Sequence, residues 1–421
     1  MTPVLALTVF LAVMAFVVAR PRGMNEAWPA AAGATAMAAL GLLTPGDLRD
    51  VVRQTAGVLV FLAAMMAASG VAEKAGVFRR AASLAAKTSG SGRRLLVNVF
   101  LLGAVVTALL SLDTTVIILT PVIYATVVNL RLDPLPYLYA CTFVANTGSL
   151  VFPMSNLTNL LVVSRLNLPF WRFAVAMALP NAAAVAVNIA VFLWLFRERL
   201  PGALPPARGS LDDAAPPAFF RAAASMLSLL LLGLFAAGLA GRPLWPAAVL
   251  GAAGLLLVAR AHGVPVGPLA LRSVSWPLFV FVWAMAAIVR GMEHAGLIRG
   301  LAHIVAGYAP ASAGGLAAAA GIAAVGANLF NNIPMTLVLL PAIPAAGSGR
   351  TFGLAAAILL GLNIGPAMTT AGSLATIIWL SVVRRQGVEV PALEYLRVAA
   401  VTVPLVLAAA FAMLALEGGL R

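Results

Sequence analysis

Apolar residues occur in stretches too long for the core of a soluble domain, and the polar residues between them form mostly short turns. Such runs cover 1–19, 27–43, 56–72, 95–130, 137–163, 173–196, 219–239, 246–258 and 274–289, and others follow to the C-terminus. A bilayer core needs about 20 apolar residues per helix, so the pattern predicts an all-α polytopic membrane protein with roughly ten to twelve crossings. The run from Met1 to Ala19 has no cationic side chain ahead of it and no small-residue cleavage site, and reads as the first membrane helix. Arg20-Pro21-Arg22-Gly23 then makes a basic turn. Thr44-Pro45-Gly46-Asp47 makes another, with Asp47 placed to cap the next helix. After Glu73-Lys74-Ala75-Gly76, residues Val77 to Ala82 form a short segment expected to lie along the membrane interface.

Polar islands interrupt the two longest of these runs. Leu110-Ser111-Leu112-Asp113-Thr114-Thr115 lies inside 95–130, where breaks are expected near Asp113 and at Pro121. Asn146, Thr147 and Ser149, then Ser155, Asn156 and Asn159, interrupt 137–163. Lipid does not tolerate loose backbone, so Gly and Pro among short polar side chains predict broken helices lining a cavity. In the second half Asn331, Asn332 and Thr336 stand ahead of Pro341 as Asp113 stands ahead of Pro121. Asn363 is followed by Thr369, Thr370, Ser373 and Thr376, and Asn363 precedes Ser373 by the same spacing that separates Asn146 from Asn156. Glu293-His294-Ala295-Gly296-Leu297-Ile298-Arg299 likewise aligns with Glu73-Lys74-Ala75-Gly76-Val77-Phe78-Arg79. These correspondences, in one order and at a nearly constant offset, predict two transmembrane repeats, 1–197 and 218–421, joined by a polar Pro/Gly-rich linker over 198–217.

Composition agrees with the pattern. The 421 residues are 62% hydrophobic and only 10% charged, against about 25% charged in soluble domains. The net charge of +14 comes mostly from short connections, as membrane topology requires, and is not read as a nucleic-acid footprint. Lys74, Arg79, Arg80, Lys87, Arg93 and Arg94 form the strongest cytoplasmic signal of the first half. The single cysteine, Cys141, excludes an intrachain disulfide and a multi-thiolate metal site, and no metal or cofactor is expected. No Gly-x-x-x-x-Gly-Lys-Ser/Thr loop occurs, so an ion gradient, the membrane potential or a separate subunit must supply the energy.

A carboxylate in hydrocarbon costs roughly 2.5–3.5 kcal/mol on insertion scales, and Asp113 has no cation within several helical turns along the chain. It must face protein or a polar cavity, and it is the candidate for the coupling proton or ion. The other island side chains are neutral hydroxyls and carboxamides, which favour a small neutral polyol-like solute or a cation. A multivalent anion is disfavoured, although broken-helix N-termini could still bind one. Glu73 and Glu293 read as structural residues at helix ends, His294 and His303 as boundary residues, and Trp276 and Trp283 as packing or interface anchors.

Arg93-Arg94-Leu95-Leu96, the run from Thr107 to Pro121, the segment Phe143 to Leu161, Phe330 to Thr336, Gly365-Pro366 and Gly372 to Leu380 together resemble the arsenite and antimonite efflux permeases of the ion transporter superfamily. The resemblance covers most of the chain and both halves in order. It implies inverted repeats, re-entrant hairpins and a transport domain moving against a scaffold. It also implies export of trivalent arsenic and antimony across the cytoplasmic membrane, driven by protons or by a soluble arsenite-stimulated ATPase. Carried over, Asp113 becomes the proton-linked acid and the Asn, Ser and Thr islands the substrate lining. Arsenous acid is a small, mostly neutral trihydroxy species near pH 7, which suits such a lining. The family signature often has Asn before the Asp, whereas Leu112 occupies that place here. Other branches carry sodium, dicarboxylates or other anions, so a sodium/proton antiporter and a dicarboxylate carrier are the rival expectations, with a passive channel a third.

Overall fold

The computed structural model describes residues 2–19, 24–204, 216–298, 312–343 and 349–416. The basic turn at 20–23, most of the linker (205–215), Arg299 and His303 lie outside the described residues. The first half comprises α1 (Thr2–Ala19), α2 (Ala27–Ala39), α3 (Pro45–Lys74), α4 (Val77–Lys87), α5 (Gly92–Leu109), α6 (Leu112–Asn129), α7 (Leu135–Thr147), α8 (Leu157–Leu166) and α9 (Phe170–Leu195). The second comprises α10 (Pro217–Leu239), α11 (Leu244–Ala261), α12 (Val266–Ser273), α13 (Trp276–His294), α14 (Ala313–Phe330), α15 (Asn332–Leu339), α16 (Gly349–Ile364), α17 (Leu374–Arg385) and α18 (Ala392–Leu416). Among the described residues, ten helices are long and apolar enough to cross a membrane.

Local chemistry explains most boundaries. Helix α3 begins earlier than hydropathy alone predicts, because Thr44 and Asp47 close a reciprocal capping box. Thr44, and not Asp47, is the N-cap: the Asp47 carboxylate sits in the first turn and accepts from the Thr44 N–H at 2.9 Å. At Pro121 the structure also departs from expectation. The ring removes one backbone donor, yet α6 continues, because Thr115–Leu119 widens into a π-turn just ahead of it. The matched Glu-x-Ala-Gly sequences adopt one geometry: Gly76 and Gly296 have φ of 76° and 79° and donate to the Glu73 and Glu293 carbonyls, both at 2.9 Å.

The ends of α6 and α17 meet through Tyr124 Oη donating to the Gln386 carbonyl, and Arg199 lies 3.7 Å from Asp133 and 3.5 Å from Glu394. With Lys74 at the end of α3 and Arg93 and Arg94 at the start of α5, these residues define a basic face. At the opposite face, the end of α2 and the start of α3 meet the end of α13. There Arg290 reaches Asp47 at 3.3 Å and Glu293 at 2.8 Å, and the His294 ring bridges Asp47 and the Leu42 carbonyl. Helices α3 and α13 therefore run in opposite senses. They also pack reciprocally, α3 against α11 and α13 against α2.

Helices α5 and α6, and likewise α14 and α15, form two hairpins whose arms lie close against the interrupted helices α7–α8 and α16–α17. Helix α5 packs on α7, and α14 on α16. A Cβ on Gly148 would stand 3.1 Å from the Ala104 Cα, and one on Gly365 only 2.5 Å from the Ala324 Cα. Glycine is required at both crossings because backbones touch there. Beneath the basic face a buried aromatic cluster of Tyr139, Phe143, Phe192, Trp379 and Tyr395 joins α7, α9, α17 and α18.

The ion-pair cluster yields a stability prediction. Asp47 keeps its Thr44 partners when Arg290 is removed, and the Arg290 side chain is 39% exposed, so solvent screens the pair. Arg290→Gln is expected to cost about 1 kcal/mol. Asp47→Ala loses the cap as well and is expected to cost about 2 kcal/mol. Thermal unfolding of the purified variants in lipid checks this order; an Arg290 variant less stable than the Asp47 variant would contradict it.

Candidate functional site

The islands lie where helices stop. Helix α5 ends at Leu109, and Ser111 caps α6: its Oγ accepts the Thr114 N–H at 3.2 Å and lies 3.1 Å from Thr114 Oγ1. Thr107 and Thr115 pin the two arms together at 2.7 Å, and Thr114 is 3.0 Å from Ser69 Oγ on α3. Thr114 and Thr115 are buried, whereas Asp113, in the first turn of α6, is half-buried. Among the described residues, no hydrogen bond or ion pair joins its carboxylate to another side chain.

The second hairpin turns at Asn331, which holds a φ of 71°. Its Oδ1 caps α15 and its Nδ2 donates to the Ala371 carbonyl at 3.3 Å. Asn332 N–H donates to the Gly372 carbonyl at 3.1 Å, so this tip is tied to the gap between α16 and α17. Thr336 Oγ1 donates back to the Asn332 carbonyl. Asn328, absent from the sequence-derived set, holds the same gap: its Nδ2 donates to the Gly365 carbonyl at 2.8 Å, and its Oδ1 accepts from Thr369 N–H and Oγ1.

The two helix gaps meet through one residue. Asn363, in the last turn of α16, accepts at Oδ1 from Asn156 Nδ2 at 2.8 Å and from Thr158 Oγ1 at 2.6 Å, and it donates to Asn159 Oδ1 at 2.8 Å. Asn156 also caps α8 through Thr158 N–H, and Asn159 Nδ2 holds the Ser149 and Phe152 carbonyls. Ser155 Oγ donates to the Ala108 carbonyl at 2.8 Å, which links this gap to the first hairpin. First hairpin, first gap, second gap and second hairpin thus form one connected set. Four side-chain-capped helix N-termini, at Ser111, Asn156, Asn331 and Ser373, belong to it.

Not every predicted residue joins the set equally. Asn146 and Thr147 bond back within α7, to the Thr142 and Phe143 carbonyls, and Thr147 receives a further bond from Asn188 on α9. Ser149 Oγ donates to the Asn146 carbonyl, and Ser373 caps α17. Thr370 is half-buried. Among the described residues, Asn332 Oδ1 is buried without a hydrogen-bond partner, and Thr376 Oγ1 faces the Tyr395 hydroxyl. A buried acceptor left unmatched costs about 1–3 kcal/mol, so Asn332 Oδ1 is polar capacity that the protein itself leaves unused. Ser69 and Asn188 also lie outside the sequence-derived set: each is a single polar residue within an apolar stretch, and spacing alone gives it no partner, whereas Thr158 stands within the island from Ser155 to Asn159.

Between this centre and the face opposite the basic one lies a cavity of about 430 Å³. Asp50, Gln54 and Thr55 of α3, Ser164 and Arg165 of α8, and Arg290 and Glu293 of α13 line it, with Leu337 of α15 on the hairpin side.

The "Citrate transporter" family model, CitMHS, matches residues 9–359. An arsenical pump membrane protein of Escherichia coli is 30% identical over 427 residues, covering 98% of each chain. A putative arsenical pump membrane protein of Bacillus subtilis is 27% identical over 94% of this chain and 95% of its own. The YdaH transporter of Alcanivorax borkumensis, described as having an unusual topology, superposes with a TM-score of 0.59 over 90% of each chain at 16% identity. That likeness concerns the fold alone.

Proposed function

The chain belongs to the arsenical-pump and CitMHS branch of the ion-transporter superfamily, a multi-pass transporter of a cell membrane and not an enzyme, and from that premise we propose that it exports trivalent arsenic and antimony hydroxides in exchange for protons. One observation carries the substrate class: the connected centre is built from Asn, Ser and Thr, with no Arg, Lys or His in its islands. Hydroxyls and amides can donate to and accept from each hydroxyl of a neutral trihydroxide. The arsenical-pump relatives, matched almost end to end, support the same reading.

The two halves are inverted repeats. Opposed α3 and α13, the reciprocal packing on α11 and α2, and hairpins opening toward opposite faces support this. Both hairpins are re-entrant, their tips meeting helix gaps about midway between the faces. Helices α1–α3, α10, α11 and α13 form the scaffold. The hairpins and the broken helices, with α9 and α18, form the body that moves. Positive side chains on the face of Lys74, Arg93, Arg199 and Arg384 support a cytoplasmic orientation for that face, with the cavity beside Asp50 and Arg290 opening outward. Asp113 binds a proton from outside, which favours release and return; binding must differ between the two states for the gradient to do work. The Asn, Ser and Thr side chains of the islands line the solute path.

The four capped N-termini favour a second reading. Their free N–H groups and dipoles would stabilise carboxylates, and the family model carries the citrate description. Everted vesicles energised by an acid interior, without ATP, separate the two. Uptake of trivalent arsenic that collapses with a protonophore is the expected result. Citrate uptake without arsenic uptake would replace the substrate while keeping the fold. Sodium-dependent proton movement with neither solute would make the chain a sodium/proton antiporter.

A further inference from the structure

On the basic face, outside the connected centre, α5 and α9 enclose an open groove of about 750 Å³. Arg93, Arg94 and Arg197 line its mouth with the Ser91 hydroxyl, and Val97, Leu193 and Trp194 form its walls. Among the described residues, neither Arg93 nor Arg94 enters an ion pair. Arg197 meets only Glu198, at 3.6 Å with both side chains more than half exposed, a pair solvent screens strongly. Asn98, also in the groove, is committed to Ala85, Thr88 and Ser89 at the end of α4 and adds no free polar group.

The groove continues into an apolar track. From Val97, Leu101 and Val105 follow at helical spacing on α5 and are 49% and 54% exposed, while Trp194 is 57% exposed. A ligand matching both parts has a phosphodiester anion at one end and a long apolar chain at the other. We propose that this groove is a binding site for an anionic phospholipid, with its headgroup phosphate among Arg93, Arg94 and Arg197 and an acyl chain along Leu101 and Val105. Guanidinium groups pair with phosphate oxygens through forked N–H donors, and an exposed indole beside them fits the headgroup level. Basic pockets between membrane helices on the cytoplasmic side suit such lipids. The charges define a phosphate site; the apolar track distinguishes a lipid from free phosphate.

Trp194 serves as the probe. The full chain is reconstituted with a small fraction of either dibrominated phosphatidylglycerol or dibrominated phosphatidylcholine, whose bromines quench nearby indoles. Subtracting Trp194→Phe isolates the signal of this residue from the other tryptophans. The expected result is quenching at least about fivefold stronger with the anionic lipid, the preference that even one of the three arginine contacts near an anionic membrane surface would give. In the triple variant Arg93→Gln, Arg94→Gln, Arg197→Gln, the preference is expected to vanish. Equal quenching by the two lipids in the native protein overturns the proposal, and is what a surface reserved for an acidic protein segment would give. Loss of the preference in millimolar inorganic phosphate also overturns it, because the groove would then be a site for small phosphate anions. If the triple variant fails to fold, the comparison of native protein with Trp194→Phe still decides.

Discussion

Asp113→Asn is expected to abolish proton-driven accumulation of trivalent arsenic in everted vesicles while downhill exchange of the solute persists. Among the island residues Asp113 is the sole acid, and it stands in the first turn of α6, where no described residue pairs with its carboxylate. An amide keeps the size and the polarity but cannot exchange a proton. The accumulated level should fall about tenfold or more, as loss of a coupling free energy of 1–3 kcal/mol implies. Wild-type accumulation by the variant would remove Asp113 from the coupling step. Loss of downhill exchange as well, in protein that is still folded, would instead assign the carboxylate to holding the hairpin tip.

The second large effect belongs to Asn363. Replacing it by Leu removes one acceptor shared by Asn156 and Thr158 and the donor to Asn159. Asn156 Nδ2 retains only Ser149 Oγ at 3.3 Å, and Asn159 Nδ2 keeps two carbonyls, but Thr158 Oγ1 and Asn159 Oδ1 lose the partners they have. Orphaned buried groups cost about 1–3 kcal/mol each, so Asn363→Leu should lose about 3 kcal/mol in stability and most of its transport. Asn146→Ala is the control. That residue holds the matching place in the first half, yet its amide bonds only one turn back to Thr142. A loss of about 1 kcal/mol is expected there. Thermal unfolding and vesicle uptake on both variants test the contrast; equal losses would mean that the bridge across the gaps does not distinguish the two positions.

Much of this architecture can be read directly from residue order. Apolar runs give helices because a bilayer leaves the backbone no other partner for its N–H and C=O groups. The polar islands mark helix ends for the same reason: each gap exposes backbone groups that need Ser, Asn or Thr nearby, and the structure ends α5, α7, α14 and α16 at them. The correspondence of the two Glu-x-Ala-Gly sequences, read from residue order, is matched by two left-handed turns of like geometry, at Gly76 and Gly296. At Pro121 and Asp47 the neighbours decided the outcome. A π-turn absorbed the proline, and Thr44 took the cap because its hydroxyl and the Asp47 carboxylate satisfy each other.

Periodicity assigns a residue to a face and says nothing about what that face meets. Asn363 therefore looked equivalent to Asn146, although one joins the halves across some 200 residues of chain and the other bonds within its own helix. Asn328, Ser69 and Asn188 gained their meaning only from partners on other helices. By itself the sequence determined the class of protein, the polar islands at which helices end and the neutral chemistry of those islands, because these follow from transferring each side chain and its own backbone out of water. Tertiary structure decided which gaps touch, which arginines stay unpaired and which amide bridges the halves, because those depend on distances between segments that the chain order leaves free.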